Sequence, residues 1–225
     1  MATVVAIYTG QGLAERIQPI FREEMPGSRL VSIIDDSIIA DVIQNGKVVP
    51  SVRRRLVQYY RHAEEIGADV ILNTCSSVGE VADWARPMID IPIIKIDEAM
   101  ASQATWQFHN IGVLATLPTT LDPTKRLLHK EAQRQNRVVN VVDALAEGAY
   151  QALVAGQPEE HDRLILEAAK SVAQHVDVLV LAQGSMVRME EALKQVTGLP
   201  VYSSPRLGVM AVRTELERLG KVAIP

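Results

Sequence analysis

The sequence predicts an α/β protein built as two similar lobes, each with a parallel sheet. Three observations carry this: eight short apolar runs, amphipathic stretches between them, and strand-end landmarks repeated at one fixed spacing. Hydrophobic residues make up 48% of the 225, yet aromatics only 4%, so aliphatic side chains fill the apolar positions. That bias suits strands buried on both faces beneath covering helices. A chain of this length can bury one large core or two small ones.

The first lobe opens with "TVVAIYT" (3–9) as a strand, followed by the glycine turn "TGQG" (9–12). A lone GxG is a weak fragment of a dinucleotide fingerprint, and it reads here as a turn. "RLVSIID" (29–35), "DVILNT" (69–74) and "IPIIKI" (91–96) complete the first set of strands. Between them, "SVRRRLVQYYRHAEEIG" repeats apolar residues at three- and four-residue spacing and predicts a helix capped by Gly67. Its "RRR" (53–55) is expected on a solvated face.

The second set is "NIGVLAT" (110–116), "RVVNVVD" (137–143), "DVLVLAQ" (177–183) and "LPVYSS" (199–204), with a helix over "EEHDRLILEAAKSVAQHV". Right-handed crossovers join units of this kind. The expected division is 1–97 plus 206–225 for the first lobe and 98–205 for the second. The last helix, about 206–221 and capped by Gly220, then packs back on the first lobe.

The landmarks relate the two sets. Asp35 and Asp143, Asp69 and Asp177, and Pro92 and Pro200 are each 108 positions apart. Duplication produces such a spacing, and so does convergent geometry. The same offset pairs Cys75 with Gln183, each where a third strand runs into a turn. Ligands of parallel α/β sheets bind at the carboxyl ends of strands, so facing lobes would set these two residues on opposite walls of one cleft.

Several function classes are disfavoured. A net charge of −4 gives no electrostatic basis for binding nucleic acid or an anionic membrane. No apolar run approaches the ~20 residues of a membrane span. "MATVVAIYTG" lacks the basic region of a secretion signal, so a cytoplasmic location is expected. One cysteine forms no internal disulfide, and the five histidines show no paired ligand spacing, so no metal is expected.

Cys75, in "ILNTCSSVGE" (71–80), is the one candidate nucleophile or base of its kind. At the start of a helix capped by Ser76 or Ser77, backbone N–H groups and the helix dipole would lower its pKa. Those N–H groups and nearby hydroxyls would also hold a carboxylate. Hydroxyls recur at the strand ends: Thr9, Thr74 and Ser76, then Thr116, Thr119, Thr120 and Ser185. A lone cysteine is equally often a small core residue, and the residues alone leave both readings open.

The chain resembles the aspartate/glutamate/hydantoin racemase superfamily, which also holds maleate isomerases and arylmalonate decarboxylases. The resemblance runs from "IYTG" to "PRLGVMAV" through "VILNTCSS", "IGVLATLPTT" and "VLVLAQGSM". "SIIDDSIIADVIQNGKVVPSVRRRL" and "IDEAMASQA" are similar to the hydantoin-racemase-like branch. It implies a cofactor-independent enzyme with two Rossmann-like or flavodoxin-like lobes, related by a pseudo-two-fold, and an active-site cleft between them. It also implies a small carboxylated substrate and a homo-oligomer, dimer or higher. In two-cysteine members one thiolate removes the proton α to a carboxylate, and the opposite thiol returns one. Carried over, Cys75 is one of that pair, and Thr116 and Thr119 bind the carboxylate, in the company of Thr9, Thr74, Ser76, Gly184 and Ser185.

Gln183 departs from the pattern, standing where the second cysteine would be. A carboxamide does not titrate near neutral pH, although it donates hydrogen bonds to an oxyanion. Three enzymatic readings follow. Another group, among Asp36, Asp97 and Glu98, serves as second base; one thiol protonates a single face after loss of CO2; or Cys75 adds to a double bond and permits rotation. A binding protein that has lost the chemistry is the alternative outside enzymes. Arg206 is a further candidate for a substrate carboxylate.

Overall fold

A computed structural model describes residues 1–10 and 12–222. The chain divides into two compact units, one holding Met1–Ile96 with the segment from Pro205 onward, the other Asp97–Ser204. The first contains β1 (Thr3–Tyr8), α1 (Leu13–Glu24), β2 (Arg29–Ile34), α2 (Ser37–Asn45), α3 (Pro50–Glu65), β3 (Val70–Asn73), α4 (Gly79–Ala85) and β4 (Ile93–Lys95). The second contains α5 (Glu98–Gln107), β5 (Asn110–Ala115), α6 (Pro118–Arg134), β6 (Asn140–Leu145), α7 (Ala149–Val154), α8 (Pro158–Val172), β7 (Val178–Leu181), α9 (Glu190–Thr197) and β8 (Val201–Tyr202). The last helix, α10 (Ser204–Arg218), returns to the first unit.

Each unit has a four-stranded parallel sheet, in the orders β2-β1-β3-β4 and β6-β5-β7-β8. In β1 all six residues are buried, because successive side chains enter cores on opposite faces. Val5 and Ile7 pack with Ile38, Leu56, Tyr60 and Val81, while Val4, Ala6 and Tyr8 pack with Ile17, Phe21, Val209 and Leu216. In the second unit Leu114, Leu179 and Leu181 meet Ile165 and Ala169 of α8. Gly67 and Gly220 take left-handed φ of 81° and 67° just past α3 and α10, as their placement in the sequence predicts.

Two of the three landmarks coincide in their hydrogen bonds as well as in spacing. Asp69 donates its N–H to the Thr3 carbonyl (2.8 Å) and accepts the Thr3 N–H on its carboxylate (2.8 Å). Asp177 does the same with Asn110, at 2.7 and 2.8 Å. The Pro92 and Pro200 carbonyls both accept from the third strand, from Ile71 and Leu179.

The third landmark is wrong. Asp35 follows β2 and donates its N–H to the Tyr8 carbonyl, a bond matched by Ala146 to Ala115, so the offset there is 146 − 35 = 111. Asp143 instead lies inside β6 opposite Val113, bound to Lys125. β6 accordingly begins three residues later than expected. Asn136 ends α6 with φ 55°, and the Arg137 N–H closes back on the Ala132 carbonyl, so residues 137–139 finish the helix-to-strand connection. The paired valines of "RVVNVVD" conceal this, because either pair fits a strand. No helix among the described residues is long and apolar enough to cross a membrane.

Candidate active site

β3 and β7 end alike. Thr74 donates its N–H to the Ile7 carbonyl and Ala182 donates to Leu114, which brings the next residues, Cys75 and Gln183, to matching positions. Their backbones agree, at φ −123°, ψ 116° and φ −125°, ψ 129°. Each opens a 3₁₀ turn, closed by Val78 N–H to the Cys75 carbonyl and by Met186 N–H to the Gln183 carbonyl.

At the first position Cys75 is partly exposed as a residue, while its side chain packs against the core beneath α3 and α4. Burial pushes the Cys75 thiol above its ordinary value. Hydrogen bonds from the Thr9 hydroxyl, the Ser77 and Val78 N–H groups and the Ser77 hydroxyl pull the other way without overcoming it. This reverses the sequence expectation of a lowered pKa. The N–H groups are present as anticipated, but desolvation outweighs them. The cap positions fall on Cys75 for the 3₁₀ turn and Val78 for α4, not on Ser76 or Ser77, and α4 starts only at Gly79.

At the second position the side chain is bonded at both ends to one residue. Gln183 Oε1 accepts the Thr116 N–H (2.8 Å), and Nε2 donates to Thr116 Oγ1 (2.7 Å). A backbone N–H only donates, so the orientation of the carboxamide is fixed. The Thr116 hydroxyl, having accepted from Gln183, keeps its own hydrogen for another acceptor. Thr9 and Thr116 therefore stand as counterparts, one donating to a sulfur and the other accepting from a carboxamide.

The remaining candidates divide. Thr119, in the first turn of α6, has a buried Oγ1 with no hydrogen-bond partner among the described residues. Thr74 spends its hydroxyl on the Ile7 carbonyl (2.8 Å), a fold contact. Thr120 is buried in α6, and its carbonyl accepts the Thr124 hydroxyl. Ser76 is half-buried, Gly184 opens the second turn and Ser185 is exposed on it. Asp36 and Asp97 sit at the N-cap positions of α2 and α5, and Glu98 is the first residue of α5. Gln11, in the glycine turn, lies outside the described residues; Gly12 adopts φ 84° before α1.

Two expectations for arginines are corrected. Arg206 forks onto Glu23 (2.7 Å) and Glu24 (2.5 Å) of α1, because α10 packs on that helix, so its guanidinium is engaged within the fold. The "RRR" face is only partly solvated: Arg53 lies over the Trp84 ring at 5.3 Å, and Arg55 joins Asp35 to Asp41.

Sequence reasoning missed the polar groups beneath Cys75. Tyr60, fully buried, donates its hydroxyl to Asn73 Oδ1 (3.0 Å), and Asn73 Nδ2 donates to the Cys75 carbonyl (3.2 Å). Lys95, also buried, pairs with Asp83 of α4 at 3.1 Å. The signal was available: alternation along "VILNT" puts Asn73 on the core-facing side with Ile71. Among the described residues no three His, Cys, Asp or Glu side chains gather as a metal site.

Residues 3–212 match the family model for Asp/Glu/hydantoin racemases. The chain belongs to the Asp/Glu/hydantoin racemase family. It is an enzyme of that superfamily, and solved racemases share its fold. An allantoin racemase from Klebsiella pneumoniae is 18% identical over 98% of this chain and 89% of its own, with a TM-score of 0.69. A glutamate racemase from Bacillus anthracis is 15% identical over 99% and 84%, with a TM-score of 0.79. An aspartate racemase from Picrophilus torridus is 16% identical over 100% and 96%, with a TM-score of 0.72. A search of curated protein sequences returns no match.

Proposed function

We propose that this racemase-family enzyme acts, without a cofactor, at the carbon α to a carboxylate of a small acid, an amino acid, hydantoin or relative. Cys75 is its proton-transferring thiol. One observation carries the reading: Cys75 stands at the end of β3 where a 3₁₀ turn opens, and hydrogen bonds from the Thr9 hydroxyl and the Ser77 and Val78 N–H groups favour its thiolate. Those donors steady the thiolate each time a proton leaves it, and burial returns the group to the thiol form. Thr116, Thr119, Gln183, Gly184 and Ser185 hold the carboxylate. The buried, unpartnered Thr119 hydroxyl supports this, since such a group gains a bond when an anion arrives.

A second reading is favoured by Gln183 and by the raised thiol. With a carboxamide where the second thiol would be, proton transfer is confined to one face. A malonate-type substrate losing CO2 leaves an enediolate; the Cys75 S–H gives its proton to the α carbon, and solvent restores the thiol. A thiol held protonated is prepared for that step.

Proton NMR in D2O tests both, with amino acids, hydantoins, malonates and maleate offered to wild type and Cys75→Ser. Cys75-dependent deuterium at an α carbon is expected. Retained carbon count with inversion identifies a racemase, and CO2 release identifies the decarboxylase. Ligands that bind without exchange or turnover would sink the reading and leave a binding protein.

A further inference from the structure

The first unit buries two polar side chains where the second buries none. Asn73 is 1% exposed and Tyr60 0%, and both face the core of Ile71, Leu56 and Val81. By the offset of 108 that the hydrogen bonds of β3 and β7 establish, Asn73 corresponds to Leu181. The buried faces of α3 (Val52, Leu56, Tyr60, Ala63) and α8 (His161, Ile165, Ala169, Val172) align one residue further on, so Tyr60 corresponds to Ala169. Leu181 is fully buried in the core of Leu179 and Ile165. An apolar pair is therefore sufficient to build this layer. Burying a carboxamide and a phenol there carries a desolvation cost that their mutual bond only offsets.

What the polar pair adds is a grip on the turn. Tyr60 donates to Asn73 Oδ1, which fixes the carboxamide so that Nδ2 points at the Cys75 carbonyl. The same carbonyl accepts from Val78, and the Asn73 carbonyl is held by the Ile96 N–H. Fixing the Cys75–Ser76 peptide sets where the next N–H groups lie: the Val78 N–H is shared with the Cys75 carbonyl (3.3 Å), and it and the Ser77 N–H favour the thiolate.

We propose that Asn73 and Tyr60 are positioning residues: they hold the Cys75 carbonyl, and with it the 3₁₀ turn that carries the Ser77 and Val78 N–H groups beside the thiol. The inference rests on Cys75 being the proton-transferring group, but it is tested without substrate. Cys75 is the chain's single cysteine, so iodoacetamide reports on it alone. Two variants are compared with wild type: Asn73→Leu with Tyr60→Phe, which copies the apolar layer of the second unit, and Tyr60→Phe alone, which removes one oxygen atom.

The double variant is expected to keep its urea midpoint, because both partners of the buried bond go together. Its alkylation midpoint is expected to rise by about one pH unit, roughly what losing one charge-assisted donor does to a thiolate. Tyr60→Phe alone is expected to raise the midpoint by less. A folded double variant with an unchanged or lowered midpoint overturns the proposal. If the double variant does not fold, an unchanged midpoint in Tyr60→Phe does so. A raised midpoint with no Cys75-dependent deuterium exchange in wild type would keep the positioning role and reject the proton-transfer reading. Exchange with unchanged midpoints would do the opposite.

Discussion

Changing Gln183 separates stability from activity, since on the proposed function its carboxamide serves both. In wild type it accepts the Thr116 N–H at 2.8 Å and donates to Thr116 Oγ1 at 2.7 Å. Gln183→Met orphans the N–H of a residue only 6% exposed. Leaving such a donor unsatisfied costs about 1–3 kcal/mol. Gln183→Glu keeps that bond and makes it charge-assisted, while the Thr116 hydroxyl rotates to donate to the second carboxylate oxygen. Its stability should stay within about 1 kcal/mol of wild type.

Activity should rank the other way. The Glu variant removes the second Nε2 hydrogen and turns the Thr116 hydroxyl away from an incoming carboxylate. It also adds a negative charge. Like charges ~5 Å apart at an effective dielectric of about 20 repel by about 3 kcal/mol, or somewhat over 100-fold in kcat/KM. Gln183→Met lacks that charge and should lose less. Urea unfolding at pH 7 measures the first ranking, and Cys75-dependent deuterium incorporation measures the second. A Glu variant that exchanges at the wild-type rate, or that unfolds more easily than the Met variant, would refute the reasoning.

Three further outcomes are expected. A Cβ on Gly208 would lie 2.6 Å from the Ile96 carbonyl oxygen, whereas one on Gly112 meets the movable Leu179 Cδ2 at 2.9 Å. Gly208→Ala should therefore cost about 3 kcal/mol or more and Gly112→Ala about 1–2, the order being read from urea midpoints. Burial raises the Asp69 carboxyl, but the Lys221 and Thr3 hydrogen bonds and the Lys221 charge outweigh it and leave the group below its ordinary value. Its stabilisation is then present above about pH 4 and fades as pH falls through the lower folded value. Asp69→Asn should flatten the acid limb of an unfolding-versus-pH curve below that point and cost about 1 kcal/mol at neutral pH. Finally, the raised Cys75 thiol should be alkylated with a midpoint above the ~8.5 of a free cysteine, and its stabilising share should fade above that pH. A midpoint at or below 8.5 would contradict the burial argument.

The strands were legible because most are continuous aliphatic runs, and a run buried on both faces admits few alternatives. β6 was misplaced where two valine pairs allow two registers and only a left-handed Asn136 chooses between them. The pairing of Cys75 with Gln183 could be read from spacing, since the chain between Asp69 and Cys75 has the same length as that between Asp177 and Gln183. The charge state of Cys75 could not, because it turns on how deeply the sulfur sits rather than on which residues flank it. Arg206 failed for a similar reason: its partners lie on α1, far away in sequence, and nothing local announces them.

The two units act as each other's control. One sheet, one strand order and one set of strand-end hydrogen bonds recur in both, so neither Cys75 nor Gln183 is needed to make the turn that carries it. What differs lies at the turn and directly beneath it: thiol against carboxamide, and Asn73 with Tyr60 against Leu181 with Ala169. If Cys75 were only a small core residue, the layer under it would have no reason to be polar. The buried Tyr60–Asn73 bond is held against a desolvation cost that the second unit avoids, and it terminates on the Cys75 carbonyl. The proposed function gives that placement a purpose, since a proton-transferring thiol needs its peptide held and a packed one does not.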